Sequence, residues 1–423
     1  MIDVKPSTTS LRSPSATAIL SDRDSARYRR ALSVRFTSTP QENSMRLYAI
    51  LRVFTIAGFT ASMAFSSTVF CQQALATDPT GYFQQSYSIA DHVHLLRQGA
   101  GFHVEVIGNV TVVEQTDGLV LIDAGGSPGA GRRVVELVHG ISTKPVKAVV
   151  ITHWHGDHHF GLSEVLKEWP HAIVIATASA ESNMNKRGLP AHPDAAFDAA
   201  QKINFDRLIK GFTDQSQAAP DETERKYFAE EAHEEQLYSE DFRGISIRYA
   251  NVTFADHMSL LDDAAPVEIM FLGKTHTDGD AIVWLPKQKV VVTGDAVVSP
   301  VPFWRSAYPV EWISVLEKIR SLGYTVLIPG HGVPQTDTTY VDTLIATLQS
   351  VNTQVAAFAG KGLSLNETQA SVDLSSSERA FAGTDPKLAE QVKSNWIPLV
   401  ACSYAEAEHI PIVQGKPCGP LQQ

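Results

Sequence analysis

The residues best suited to chemistry lie in one short stretch, Thr152-His153-Trp154-His155-Gly156-Asp157-His158-His159. Its spacing, His-x-His-x-Asp-His, is not a core pattern. Each such polar side chain buried without a partner would cost roughly 2–7 kcal/mol. A solvated loop explains any single histidine, but it does not explain the cluster. Neutral imidazole and carboxylate are ligands that zinc or a similar divalent ion accepts. A turn leaving a strand can aim His153 and His155 at one ion, and Asp157 and His158 at a second.

Such a turn needs a strand to leave. Val146-Lys-Ala-Val-Val-Ile151 is apolar, β-branched and short, and reads as a buried strand ending where the polar cluster begins. Three later runs end in the same way. Val267-Glu-Ile-Met-Phe-Leu272 leads into a loop carrying His276 and Asp280. Val290-Val-Val-Thr293 leads into Gly294-Asp295. Thr325-Val-Leu-Ile328 leads into Pro329-Gly330-His331.

In order and context these residues resemble the metal-binding motifs of the metallo-β-lactamase superfamily, over residues 85–335. The resemblance implies an α/β fold, an αβ/βα four-layer sandwich with the metals at one edge of two packed sheets. It implies that His153, His155 and His276 hold a first metal and that Asp157, His158 and His331 hold a second. Asp295 would bridge the two, and Asp157 would also orient the nucleophile. Asp123-Ala-Gly-Gly126 is similar to an early acidic motif that supports the site without ligating. The implied cofactor is two Zn2+, with other divalent metals, including iron, as alternatives.

The implied activity is hydrolysis, in which a water activated between the metals attacks an ester, thioester, lactone or amide carbonyl, β-lactams included. The bridging Asp295 makes the set resemble glyoxalase II and acyl-homoserine lactonases more than the zinc β-lactamases, which generally lack that acid. No basic C-terminal run of the glyoxalase II kind is present. Phosphodiester or sulfate ester hydrolysis is the alternative chemistry, and a non-catalytic metal-dependent binding protein is the non-enzyme reading. A diiron oxidoreductase is a further alternative, disfavoured because no flavin domain follows.

Residues 1–44 are rich in Ser, Thr, Arg and Pro and read as a disordered leader or an extension before a start at Met45. From Met45 a basic n-region, an apolar segment and Ala74-Leu75-Ala76 form the pattern of a cleavable secretory signal, cut after Ala76, with a membrane anchor as the alternative. Cys71 lacks the small preceding residue of a lipoprotein signal. The expectation is an exported or periplasmic protein with no membrane attachment after cleavage. Of the net −11, residues 1–76 contribute +5 (nine Lys/Arg, four Asp/Glu), which leaves −16 on the remainder. A body that acidic disfavours nucleic acid and anionic membrane as partners and leaves a small-molecule substrate. In an oxidising compartment Cys402 and Cys418 can form a disulfide, against the alternative of two free thiols.

Residues 77–335 are expected to form the catalytic domain and 336–423 a helical extension, for dimerisation or capping. Strand-like runs fall at 92–96, 102–107, 110–114 and 119–123, separated by turn signals that include Gly108-Asn109. His92, His94 and His103 on them are expected to be structural or exposed. Helices are expected over 132–141 and 162–169, with a strand at 172–176. Residues 181–240 break this rhythm as a polar helical insertion (helices 197–211 and 221–236), a lid over the cleft or decoration on its flank. Its His192 and His233 are not expected to ligate. Strands are expected at 245–248 and 252–254, with a turn at 256–261. After Asp295, Phe303, Trp304 and Tyr308 are expected to wall the cleft, with Arg305 meeting a substrate carboxylate. Helices follow at 312–322, 340–358 and 386–394.

Overall fold

The structure, a computed structural model, describes residues 84–98, 108–187, 194–242 and 245–419. The expected leader, signal segment and cleavage site, Cys71, the strand at 102–107, His103 and His192 lie outside the described residues.

In chain order the elements are β1 (Gln84–Ala90), β2 (Val93–Gln98), β3 (Val110–Glu114), β4 (Leu119–Ile122), α1 (Pro128–Ile141), β5 (Val146–Val150), α2 (Gly156–His159), α3 (Leu162–Glu168) and β6 (Ile173–Thr177). The insertion supplies α4 (Ala178–Arg187), α5 (Asp194–Ala218) and α6 (Glu222–Asp241). Next come β7 (Val252–Phe254), β8 (His257–Leu260), β9 (Val267–Phe271), β10 (Ala281–Leu285), β11 (Val290–Val292), α7 (Pro309–Ser321) and β12 (Val326–Ile328). The tail carries α8 (Thr339–Ala359), α9 (Leu365–Ser371), α10 (Ser375–Ala382) and α11 (Pro386–Ala407).

The first sheet has the order β1-β2-β3-β4-β5-β6-β7 and the second β12-β11-β10-β9-β8. Pairing is antiparallel from β1 to β4 and parallel from β4 to β7. In the second sheet only β11 and β12 pair in parallel. Side chains alternate across each strand, so one strand serves two layers. Val149 packs outward against α1 and α3, while Ala148 and Val150 face the second sheet through Val283 and Val292. Ile282, Val291 and Leu327 face away from the first sheet, onto α7, α8 and α11. The layers are helix, sheet, sheet, helix. Each buried Val, Leu or Ile contributes about 1.5–3 kcal/mol, so a one-residue slip in β5, which would exchange the two faces, is strongly opposed.

Several details differ from the sequence expectations. Residues 245–248 form no strand: Ile245 and Ile247 alternate inward, but onto Phe205 and Phe242 of the insertion rather than a neighbouring strand. The expected turn at 256–261 contains β8, an edge strand whose His257 and Ser259 are exposed. β10 has a nearly continuous apolar face to both layers, which removes the alternation that signals a strand. In the tail, α9 and α10 fill the interval between the expected helices at 340–358 and 386–394, and α11 runs well past residue 394. Cys402 and Cys418 are joined as a disulfide. Among the described residues no helix is long and apolar enough to cross a membrane.

Candidate metal centre

β5 ends at Val150, and its continuation is captured at once. The Thr152 N–H donates to Asp123 Oδ1 at 2.8 Å and the Thr152 hydroxyl donates to Asp123 Oδ2 at 2.9 Å. His153 follows, fully buried; His155 precedes α2, and Asp157 and His158 lie in its single turn. The loop after β9 brings His276, held by Asp280, whose carboxylate accepts from the Thr275 and Thr277 hydroxyls and from the Thr277 N–H. A 3-10 turn after β11 carries Asp295, and the loop after β12 carries His331.

The structure brings all seven expected residues together. His153, His155, His276 and Asp295 form one group, and Asp157, His158, Asp295 and His331 form another, with the donor atoms of each within 4.8 Å of one another. Asp295 divides its two oxygens between them. Oδ2 lies 3.8 Å from His153 Nε2 and 3.5 Å from His276 Nε2. Oδ1 lies 3.2 Å from His158 Nε2 and 3.6 Å from His331 Nε2. Asp157 Oδ2 faces His331 Nε2 at 3.0 Å and His158 Nε2 at 3.3 Å. His155 Nδ1 and His276 Nε2 lie 2.8 Å apart.

These donors fit zinc. At bond lengths of about 2.0–2.2 Å, tetrahedral ligand atoms lie about 3.3–3.6 Å from one another, close to most spacings above. His153 Nε2, His158 Nε2 and Asp295 Oδ1 are buried without a hydrogen-bond partner. Orphaned polar atoms of this kind cost roughly 1–3 kcal/mol each unless something electrophilic sits between them. The outward ring nitrogens of His158 and His276 are occupied. His158 Nδ1 is 2.8 Å from Asp123 Oδ2 and His276 Nδ1 is 3.2 Å from the Phe303 carbonyl oxygen. Donation there leaves each Nε2 a lone pair for a metal.

Protonation follows from burial and charge. Burial, with His276 next, lowers His155 to about 3, and burial and His158 put His153 well below the ordinary histidine range. Burial would raise Asp157, but His158 and His331 outweigh it and hold the carboxyl well below its usual range. Asp295 is likewise held low against burial, by His331 and His158. His158 goes the other way: burial lowers it, but Asp157, Asp295 and Asp123 together raise it. A divalent cation facing His158 Nε2 would oppose that proton.

Close packing fixes the backbone. A Cβ on Gly330 would stand 2.0 Å from Asp295 Oδ1, and one on Gly108 would stand 2.4 Å from the His158 ring. Asn109 beside it donates from Nδ2 to the carbonyls of Pro329 and Gly332, clamping the loop of His331. In the sequence Gly108-Asn109 reads only as a turn signal. Asn109 gave no sign of its role, because it acts on a loop distant in sequence, and Asp280 braces its own loop from within.

His92, His94 and His233 stay out of both groups. His94 pairs with Glu114 at 2.9 Å, and His92 and His233 are exposed. Of the residues expected to wall the cleft, Phe303 lies at the site and Trp304 does not. Phe303 stands against His276, ring centres 5.5 Å apart, and Lys274 lies over the ring of the half-buried Tyr308. Trp304 does not face the cleft. It is buried in the core against Trp312 and Trp396, because the layer under α7 and α11 offers it far more apolar contact. Arg305 is exposed. The insertion sits on the loop beside Asp157: the Tyr238 hydroxyl donates to the Gly126 carbonyl, and Asp241 accepts from Ser127 and the Ala130 N–H.

Known proteins resemble this chain over much of its length. A model of the metallo-beta-lactamase superfamily matches residues 103–331. A linear primary-alkylsulfatase of Pseudomonas sp. is 26% identical over 299 residues, 66% of this chain and 52% of that protein. A type 2 metallo-beta-lactamase of Bacillus cereus is 24% identical over 234 residues, 54% of this chain and 68% of that one. The solved structure of a sec-alkylsulfatase from Pseudomonas sp. superimposes with a TM-score of 0.50 at 17% identity, over 76% of this chain and 50% of its own. That likeness is one of fold, and the chain spans about half the length of either alkylsulfatase. The match to the family model covers more than half of the chain, which belongs to the metallo-β-lactamase superfamily.

Proposed function

We propose that the chain is an exported, dinuclear zinc-dependent hydrolase of an ester, lactone or amide bond. The observation that carries this reading is the divided carboxylate of Asp295, with one oxygen toward the three-histidine group and the other toward Asp157, His158 and His331. Two zinc ions held there would bring the pKa of a shared water towards about 7 and polarise the oxygen of the bond to be broken. The protein's own part is orientation and charge. Asp157, its side chain 29% exposed against 6% for Asp295, is the carboxylate that water and substrate can reach. Held ionised by His158 and His331, it accepts a hydrogen bond and aims the attacking water rather than acting as a strong base. Trp154 and Phe303 flank His155 and His276 with apolar surface, and Lys274 adds a cation beside Tyr308. That surrounding suits a substrate with an apolar part and an anionic group.

A second reading, sulfate ester hydrolysis, is favoured by the longer reach of the alkylsulfatase similarity, 299 residues against 234 for the β-lactamase. Residues 77–423, loaded with zinc, should be offered a simple lactone, a chromogenic β-lactam and a medium-chain alkyl sulfate. Turnover of the lactone or lactam supports the acyl reading, and turnover of the alkyl sulfate alone replaces it with the second. Fewer than two zinc ions per chain by elemental analysis, or no hydrolysis of any of the three, would overturn the proposal.

A further inference from the structure

Beyond residue 331, where the family match ends, the chain returns to the metal cluster. After α11 a strap, residues 408–418, crosses the loop that carries Trp154 and is tied back to α11 by the Cys402–Cys418 disulfide. Gln414 in this strap is 3% exposed. Its Oε1 accepts from Trp154 Nε1 at 3.2 Å, and its Nε2 donates to the Ser306 carbonyl at 2.9 Å, with the Tyr308 hydroxyl 3.4 Å away. The Ser306 hydroxyl in turn donates to the Lys416 carbonyl at 2.7 Å. A buried amide with both ends satisfied by two different loops is a rigid tie.

Each of those loops supports a histidine of the first group. The Trp154 ring packs edge-on against His155, centres 4.4 Å apart, and the loop of Ser306 and Tyr308 carries Phe303, whose carbonyl faces His276 Nδ1 and whose ring packs on His276. We infer that Gln414 is a positioning residue for the three-histidine half of the centre, acting through Trp154 and the 303–308 loop and held in place by the disulfide. The inference rests on the dinuclear zinc reading.

The test is zinc affinity, measured by competition with a chromogenic chelator on residues 77–423. Wild type must first bind two ions; if it does not, the zinc reading fails on its own account, before any variant is compared. Gln414→Ala should weaken one of the two ions by about tenfold or more and leave the other near wild type, as loss of a partner that orients a ligand does. The Cys402→Ser/Cys418→Ser double variant should show the same selective loss. Trp154→Phe removes the same hydrogen bond from its other end, so its effect and that of Gln414→Ala should not add in the double variant. Should Gln414→Ala fail to fold, Gln414→Glu takes its place: it keeps the acceptor for Trp154 and loses the donor to Ser306. Equal weakening of both ions, full additivity with Trp154→Phe, or unchanged zinc affinity with only a lower Tm would each overturn the inference.

Discussion

One oxygen of Asp123 is shared: Oδ2 lies 2.8 Å from Nδ1 of His158 and also accepts the Thr152 hydroxyl at 2.9 Å. Asp123 closes β4 with a left-handed φ of 65°, so its carboxylate reaches past its own strand to the end of β5. The contact selects the His158 tautomer that presents Nε2 to the second group. Asp123→Asn keeps the shape but replaces an acceptor oxygen with an N–H or a weaker carbonyl. We expect the affinity for one zinc ion to fall at least about tenfold with the fold retained. Chelator competition checks this, and a variant binding both ions like wild type would refute it.

The seven converging residues make unequal demands. His155→Ala or Asp157→Ala should abolish turnover and lower the metal content, because each removes one of only four donors in its group. Asp295→Ser should loosen both halves at once, since of the seven it is the one that belongs to both groups. Reduced activity without unfolding is the expected result for the serine variant. Two tightly bound ions at full rate in any of the three would sink the assignment.

Much of this was legible along the chain because β-branched runs ending in polar clusters are local signals. β5, β9, β11 and β12 and the loops that leave them could be read that way. What escaped is decided by tertiary partners. Ile245 and Ile247 alternate like a strand, but the surface they meet is helical. Trp304 stands among loop residues yet turns into the core. Gln414 lies between turn-forming residues, and nothing near it in sequence reports that Trp154 is its partner.

Gly330 shows why one small residue is obligatory. Besides Asp295 Oδ1 at 2.0 Å, a Cβ there would meet the backbone of Gly294 and Asp295 at 2.7 and 2.8 Å. Neither backbone can move without displacing the shared carboxylate. Gly330→Ala should therefore cost about 1–3 kcal/mol of stability and a larger share of activity. Urea unfolding with metal titration tests this; a variant with wild-type midpoint and wild-type zinc binding would show that the loop can yield.

Glu406 gives the tail a pH dependence. Its carboxylate accepts from the Val310 N–H at the start of α7. Burial first, then the nearby Glu311, pushes its pKa up to about 7 from 4.5, against the opposing effects of Val310 and Lys274. A carboxyl with a folded pKa above its unfolded one binds a proton more readily when folded, so stability falls as pH rises through the interval between them. That interval is pH 4.5 to about 7. Glu406→Gln should flatten this part of the stability curve, measured as the difference from wild type in chemical denaturation at a series of pH values. Parallel curves across the interval would contradict the assignment.

Metal and fold should be coupled. The partnerless Nε2 atoms of His153 and His158 and Oδ1 of Asp295 bring together the loops after β5 and β11, one from each sheet, and their mutual cost falls on the folded state. A ligand that binds the folded chain alone stabilises it by RT ln(1 + [L]/Kd), about 4 kcal/mol at a thousandfold excess over Kd. Removing zinc with a chelator should therefore lower Tm by several degrees, and restoring zinc should recover it. Magnesium should not, because it prefers octahedral oxygen ligands to imidazole. The decisive measurement is a thermal melt of the same sample before chelation, after it, and after addition of each ion. An unchanged Tm across the series would mean that the histidine cluster folds without need of a cation, against the metal-centre reading.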